Sequence, residues 1–321
     1  MTTEEIPEAR VQRPERADVR ALVAEFDRLG VRPYEELGVL RARRAMASVT
    51  KSQSCKRDIA QVTDVLVPGA QGQLPVRIYD PAPAEPLPVV IYVHGGGFAL
   101  GGVHEADGPC RRVARSARVM VMAMEYRLAP ESPFPHGLDD VTVAVDQLIA
   151  WDRPAGVQAR VLLGDSAGGQ LAASVAISRR GAQGTGLDGL ALIYPVVRPA
   201  ADSPFTSYVD NANAPLMTRR TMEWFWDLYV PAGLDPTNPR LDLLQVPDLS
   251  GLPPTLVVTA ELDPLRDEGR ALATRLEHDG SPVLHREFQA APHGFWWLDG
   301  PLQQAAELDT LLARFIDSVG G

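Results

Sequence analysis

From residue 89 onward the chain alternates short apolar runs with longer stretches of helical periodicity, and that alternation leaves few folds open. Residues 89–93, 119–123, 161–163, 190–193, 255–259 and 283–288 read as strands, and 106–117, 138–151, 167–179, a stretch ending at about 279, and 302–319 read as helices. Strands joined through helices run parallel, so the sheet is mostly parallel and covered on both faces. In such a sheet ligands bind beyond the carboxyl ends of the strands.

Two segments stand outside the alternation. Ahead of it, residues 16–29 form an amphipathic pattern with Val19, Leu22, Val23, Phe26 and Leu29 on one face, stopped by Gly30. A second helix is expected over 33–47, then a hairpin of 62–67 and 74–79 around Gly69-Ala70-Gln71-Gly72. Within the alternation, residues 199–254 break the rhythm and are too long for a structureless loop. They contain Met222-Glu223-Trp224-Phe225-Trp226-Asp227-Leu228-Tyr229, an aromatic-rich helix. The expected organisation is one domain, 1–321, with a cap built from about 1–50 and about 199–240 above the active-site edge.

Composition narrows the partners. The net charge of −10 argues against nucleic acid, and only Lys51 and Lys56 are lysines. Two cysteines, Cys55 and Cys110, make no disulfide framework and fit a reducing, cytoplasmic setting. Met1 to Arg20 is charged without an apolar centre, so no signal peptide is expected there. No apolar run reaches about 18 residues, so no membrane span is expected.

The chemistry concentrates at Gly164-Asp165-Ser166-Ala167-Gly168-Gly169, between a strand and a helix. A serine at such a sharp turn takes a strained backbone conformation and is pushed out into solvent at the strand's carboxyl end, and side chains at Gly164 and Gly168 would clash across the turn. The following helix offers free N–H groups and a positive dipole end to a developing oxyanion. The serine hydroxyl needs a base. Of six histidines, His293 alone sits in a loop after the last sheet strand, whereas His94, His104, His136, His278 and His285 sit in strands or near helix ends. A carboxylate must hold that base, and Asp263 follows a strand at the same edge. Glu261, Asp267 and Glu268 are rivals, the last two better explained as first-turn carboxylates facing a helix dipole. Donors for the oxyanion are available in His94-Gly95-Gly96-Gly97-Phe98, after another strand, and at Ala167 N–H. No G-x-x-x-x-G-K is present, and the spacing of this loop fails G-x-G-x-x-G, so this glycine loop is not one for phosphates. Neither H-E-x-x-H nor paired C-x-x-C occurs, so no metal site is indicated.

Taken together, these stretches resemble the hormone-sensitive-lipase-like family of α/β-hydrolases, bacterial carboxylesterases with an HGGG motif. His94-Gly95-Gly96-Gly97-Phe98 matches the oxyanion motif and Gly164-Asp165-Ser166-Ala167-Gly168-Gly169 the GDSAG form of the nucleophile motif. Asp263-Pro264-Leu265-Arg266-Asp267-Glu268-Gly269 is similar to the acid motif and His293-Gly294-Phe295 to the histidine motif. Tyr126-Arg127-Leu128-Ala129-Pro130-Glu131 is a further hallmark, structural in character. The resemblance runs from about residue 89 onward; the first fifty residues share only placement, as cap helices.

The resemblance implies an α/β-hydrolase fold with a mostly parallel central sheet, helices on both faces and a helical cap. Ser166 would be the nucleophile, His293 the base and then the acid, and Asp263 its orienter, in the chain order of that fold. Gly96, Gly97 and Ala167 N–H groups would form the oxyanion hole, with His94 holding the loop. The implied reaction is two-step hydrolysis of short- to medium-chain acyl esters through an acyl-serine, with no cofactor. Candidate walls of the substrate pocket are Phe98, Phe205, Leu216, Trp224, Phe225, Trp226 and Trp297, and bulky aromatics there would limit the acyl chain. The implied partner is a small-molecule ester, and the family's habit of pairing through the last strand and helix allows a homodimer. An amide or lactone would serve the same triad. A non-catalytic ligand-binding relative would lack the histidine that His293 supplies, and a dehydrating relative would carry threonine at position 166.

Overall fold

Both faces of the central strands are apolar, and this decides where they lie. In β3 (Leu87–Val93) Val89, Ile91 and Val93 point into one core cluster while Val90 and Tyr92 point into the other. In β5 (Val157–Asp165) Leu162 faces the first cluster and Val161 and Leu163 the second. Each such side chain, fully withdrawn from water, contributes about 1.5–3 kcal/mol. Such strands are stable only between two helical layers.

The computed structural model describes residues 16–48, 53, 58–151, 153–181, 184–200 and 203–321. Most of the residues read for a leader, together with Cys55, Lys51 and Lys56, lie outside this set. Its eight-stranded sheet has the order β1-β2-β4-β3-β5-β6-β7-β8. The hairpin β1 (Gln61–Gly69) and β2 (Gly72–Asp80) is antiparallel and joins β4 (Met120–Met124) antiparallel. From β4 through β3, β5, β6 (Gly189–Ile193), β7 (Thr255–Leu262) and β8 (Val283–Pro292) every pair is parallel.

One core cluster lies between the sheet and the helices α5 (His136–Ala150), α6 (Ala167–Ser178) and α9 (Arg266–His278). The other lies under α4 (Asp107–Ser116) and α10 (Gln304–Gly320). α1 (Ala17–Leu29) ends, as expected, at Gly30 in the left-handed conformation, φ 63°. Its Val19 and Leu22 join the second cluster, and Asp18 Oδ2 accepts from Gln303 N (3.4 Å).

The helix expected over 33–47 is two helices, α2 (Tyr34–Leu37) and α3 (Val39–Ser48). Gly38 separates them at φ 71°, ψ 161°, which breaks the helical hydrogen-bond run and which glycine adopts without strain. The segment expected to depart from the alternation carries α7 (Ser207–Asp210) and α8 (Arg219–Tyr229). α2 meets α8: Glu35 accepts from Thr221 Oγ1 (2.7 Å), and the Tyr34 and Phe225 rings lie 6.2 Å apart. No helix among the described residues is long and apolar enough to cross a membrane.

Candidate active site

β5 ends at Asp165 and α6 begins at Ala167, so Ser166 is the single residue that turns the chain. It holds φ 52°, ψ −121°, a conformation that costs about 1–3 kcal/mol for a residue with a side chain. Ser166 N donates to Ile193 O (2.9 Å) and helps fix the turn to β6. The glycines around it are dictated by backbone contact. A methyl group at Gly164 would overlap Gly168 O, and one at Gly168 would overlap Val93 O. The expected exposure of the serine is corrected here: Ser166 is 5% exposed, because the turn is packed over rather than open to solvent.

The three residues expected to act together meet. Ser166 Oγ lies 2.9 Å from His293 Nε2, and His293 Nδ1 lies 2.7 Å from Asp263 Oδ2. A carboxylate can only accept, so Nδ1 carries the ring proton and Nε2 keeps the lone pair that the serine O–H faces. Asp263 is fully buried, and its other oxygen accepts from Leu265 N (2.9 Å). The Tyr194 ring packs 4.7 Å from the His293 ring.

The rival carboxylates are occupied elsewhere. Glu261 Oε2 accepts from Ala290 N, where β8 bulges and Ala290 takes φ 52°. Asp267 lies beside Arg266, with bonds from Ser207 N and Thr206 Oγ1, and these hold its carboxyl down at about 2 against the upward push of burial. Glu268 requires a correction. It does stand in the first turn of α9, but it is fully buried, and burial pushes its carboxyl up to about 8. At neutral pH it is mostly protonated, so charge on a helix dipole does not account for it.

The glycine loop after β3 lies against the serine turn. Gly95 N donates to Asp165 Oδ1 (2.8 Å), and Tyr92 Oη donates to the same oxygen (2.6 Å). Gly96 and Gly97 have φ of 119° and 59°. A methyl group at Gly96 would overlap Leu100 O, and one at Gly97 would overlap the Phe225 ring. His94 Nδ1 contacts Gly95 O (2.7 Å), and its ring stacks on Tyr126 (4.4 Å). The Tyr126–Glu131 stretch is a brace for this loop: Tyr126 Oη donates to His94 O (2.9 Å) and Ala129 N to Phe98 O (2.9 Å). Arg43 of α3 pairs with Glu131 (2.7 Å) and donates to Ala99 O (2.9 Å) and Ala129 O (3.0 Å).

The expected pocket walls divide. Phe98 stacks on Tyr229 (3.8 Å) and lies 5.4 Å from Trp226, so α8 sits directly over the glycine loop. Trp224 leans on Phe225 (5.0 Å), and Phe205 packs with the same core cluster. Leu216 and Trp297 belong to the other cluster. Cys110 is buried, and burial raises its thiol well above the ordinary value, so it is a packed residue.

Several residues around the site carry no local signal in the sequence. Arg112 of α4, itself buried, pairs with Asp309 (2.8 Å) and Asp299 (3.0 Å) and donates to Trp296 O (2.5 Å), three residues beyond His293. Tyr92, Tyr194 and Asn211 are likewise recognisable only from what they touch.

Comparison with known proteins agrees with the fold. The family described as the alpha/beta hydrolase fold matches residues 90–297. The carboxylic ester hydrolase LipN of Mycobacterium tuberculosis is 34% identical over 270 residues, covering 80% of this chain and 70% of LipN. The carboxylesterase NlhH of the same species is 39% identical over 233 residues, covering 69% and 71%. Among solved structures, an ester hydrolase from the metagenome of Lake Arreo, complexed with a bipyridine phosphonate derivative, superposes with a TM-score of 0.88. It is 34% identical, and the match covers 94% of this chain and 98% of that one. With a mostly parallel eight-stranded sheet, the matched family and esterase relatives at this identity, the chain belongs to the alpha/beta hydrolase fold family and is a carboxylic ester hydrolase.

Proposed function

We propose that the protein hydrolyses short- to medium-chain acyl esters through an acyl-serine intermediate, using Ser166, His293 and Asp263. The observation that carries this is the unbroken line from Ser166 Oγ to His293 Nε2 (2.9 Å) and from His293 Nδ1 to Asp263 Oδ2 (2.7 Å). Ser166 Oγ attacks the ester carbonyl carbon while His293 Nε2 takes the hydroxyl proton. The carbonyl oxygen becomes an oxyanion, received by the N–H groups of Gly96, Gly97 and Ala167. The C–O bond to the leaving group breaks, His293 gives that oxygen its proton, and the acyl group stays on Ser166. Water then repeats the sequence, with His293 as base, and releases the acid. Asp263 holds the Nδ1–H tautomer and stabilises the imidazolium in both halves.

The helices α2, α3 and α8 together act as the cap in this reading. Support comes from Phe225 against Gly97 and from Trp226 and Tyr229 against Phe98, which put aromatic bulk next to the oxyanion loop and favour shorter acyl chains. The exposed Leu284 on edge strand β8 supports the homodimer reading, and the sparse cysteines support a cytoplasmic one.

The test is turnover of p-nitrophenyl esters from acetate to palmitate by wild type and Ser166→Ala. The expected result is a maximum at short to medium chains, with kcat/KM falling by about 10⁴-fold or more in the variant. Comparable turnover by the variant refutes the triad, and a maximum at palmitate refutes the chain-length reading.

A further inference from the structure

The short helix α7 opens the departure from the alternation, and its polar groups converge on one loop, that of Asp263. Asn211 Nδ2 spends both hydrogens there, donating to Glu261 O (2.9 Å) and to Asp263 O (3.0 Å). Ser207 Oγ donates to Pro264 O (2.7 Å). Ser207 N and Thr206 Oγ1 donate to Asp267 Oδ2 (2.9 and 3.1 Å), and Tyr208 Oη donates to Glu268 Oε2 (3.0 Å). Ser207, Tyr208 and Asn211 are themselves buried.

The loop needs such a clamp. The register between β7 and β8 slips there, so that Ala260 faces Phe288 but Leu262 faces Pro292. Regular ladder bonding is interrupted where the chain must present Asp263, and buried carbonyls require donors from somewhere. The Asn211 amide supplies them on both sides of Leu262, two bonds that fix the backbone from which the Asp263 side chain reaches His293.

We propose that Asn211 is a positioning residue of the triad, holding Asp263 in place through the backbone carbonyls of Glu261 and Asp263, with Ser207 in support. This rests on the reading of Asp263 as the acid of the triad. Asn211 touches neither substrate nor reacting atoms. Its effect passes through the 2.7 Å bond between Asp263 and His293, and a misplacement of about 1 Å at such a site can cost about 100-fold in rate.

The experiment compares wild type, Asn211→Ala, Asn211→Asp, Ser207→Ala and Ser166→Ala on a p-nitrophenyl ester, recording kcat, KM, the pH profile of kcat/KM and thermal melts. Asn211→Asp keeps the volume but turns a donor into an oxygen facing two carbonyls. Both Asn211 variants are expected to lose about 100-fold in kcat with KM within about threefold. The acidic limb of their kcat/KM profile should move to lower pH, because an imidazolium without a well-placed carboxylate gives up its proton more easily. A folded Asn211→Asp with wild-type kcat overturns the proposal. So does a loss of kcat with an unmoved limb, which would mark Asn211 as a packing residue only. If neither Asn211 variant folds, Ser207→Ala decides: a fall of about tenfold in kcat with the same displacement of the limb supports the clamp, and wild-type behaviour overturns it. Wild-type turnover by Ser166→Ala would strike the triad reading instead, so the two failures are distinct.

Discussion

Glu268→Gln should make the protein more stable, by an amount that grows as pH rises from about 4.5 to about 8. Glu268 is fully buried, and burial is the largest influence on its carboxyl. Bonds from Val197 N (2.8 Å) and Tyr208 Oη (3.0 Å) oppose the rise, and the nearby Asp263 charge adds to it. The net result moves the carboxyl from 4.5 to about 8. A carboxyl with a raised folded-state value binds its proton more tightly folded than unfolded. Below pH 4.5 both states hold the proton and there is no cost. Between 4.5 and about 8 stability falls as pH rises, by about 1.4 kcal/mol per pH unit, and above that the loss levels off near 5 kcal/mol. Glutamine carries no titrating proton. Its carbonyl can still accept from Val197 N, and its NH₂ can donate to Tyr208 Oη. With an unfolding entropy of about 2.1 cal/mol/K per residue over 321 residues, 5 kcal/mol corresponds to about 7 °C in Tm. Thermal melts of both proteins at pH 5, 6, 7, 8 and 9 should show the variant's Tm gaining on wild type by about 2 °C per pH unit up to pH 8. Curves that stay parallel, or a gap that opens towards low pH, would refute the assignment of a neutral buried carboxyl.

Two further outcomes follow from the same geometry. Tyr92→Phe removes one of the two donors to Asp165 Oδ1, loosening the carboxylate that holds Gly95 N, and should lower kcat on p-nitrophenyl acetate about tenfold while leaving KM nearly unchanged in steady-state kinetics. Arg112→Ala leaves Asp299 and Asp309 buried without their shared cation and should cost about 3–5 kcal/mol, a drop of about 4–7 °C in a thermal melt at pH 7.

The parts of the site that could be read from the sequence are those whose chemistry is written in neighbouring residues. Gly164 and Gly168 are required by atoms of the same turn or of the adjoining strand, so their spacing around Ser166 is a local signature. His293 could be read because it sits in the loop expected after the last sheet strand. Strand ends were less legible. β5 begins at Val157, but Gln158 and Arg160 look like loop in sequence because that end of the strand reaches the surface. β8 continues past Phe288 to Pro292 through the bulge at Ala290, and nothing in Gln289-Ala290-Ala291 announces a strand.

The supporting residues were illegible for a different reason. Arg112 meets Asp309 across 197 positions and Asn211 meets Asp263 across 52, and an isolated arginine or asparagine carries no pattern that names its partner. Glu268 shows how far context overrides local rules. In sequence it is a first-turn carboxylate, which the helix dipole would favour in its charged form. In the fold Tyr208, Val197 and Asp263 surround it, and the same residue loses its charge. The dipole contributes about 0.3–1 kcal/mol at a helix end, whereas moving a carboxyl from 4.5 to about 8 takes about 5 kcal/mol, so burial decides the protonation state. Asp263, the acid of the proposed triad, therefore has a neutral neighbour at physiological pH. A second carboxylate charge beside Asp263 would raise the cost of keeping Asp263 ionised, and the burial that neutralises Glu268 removes that repulsion.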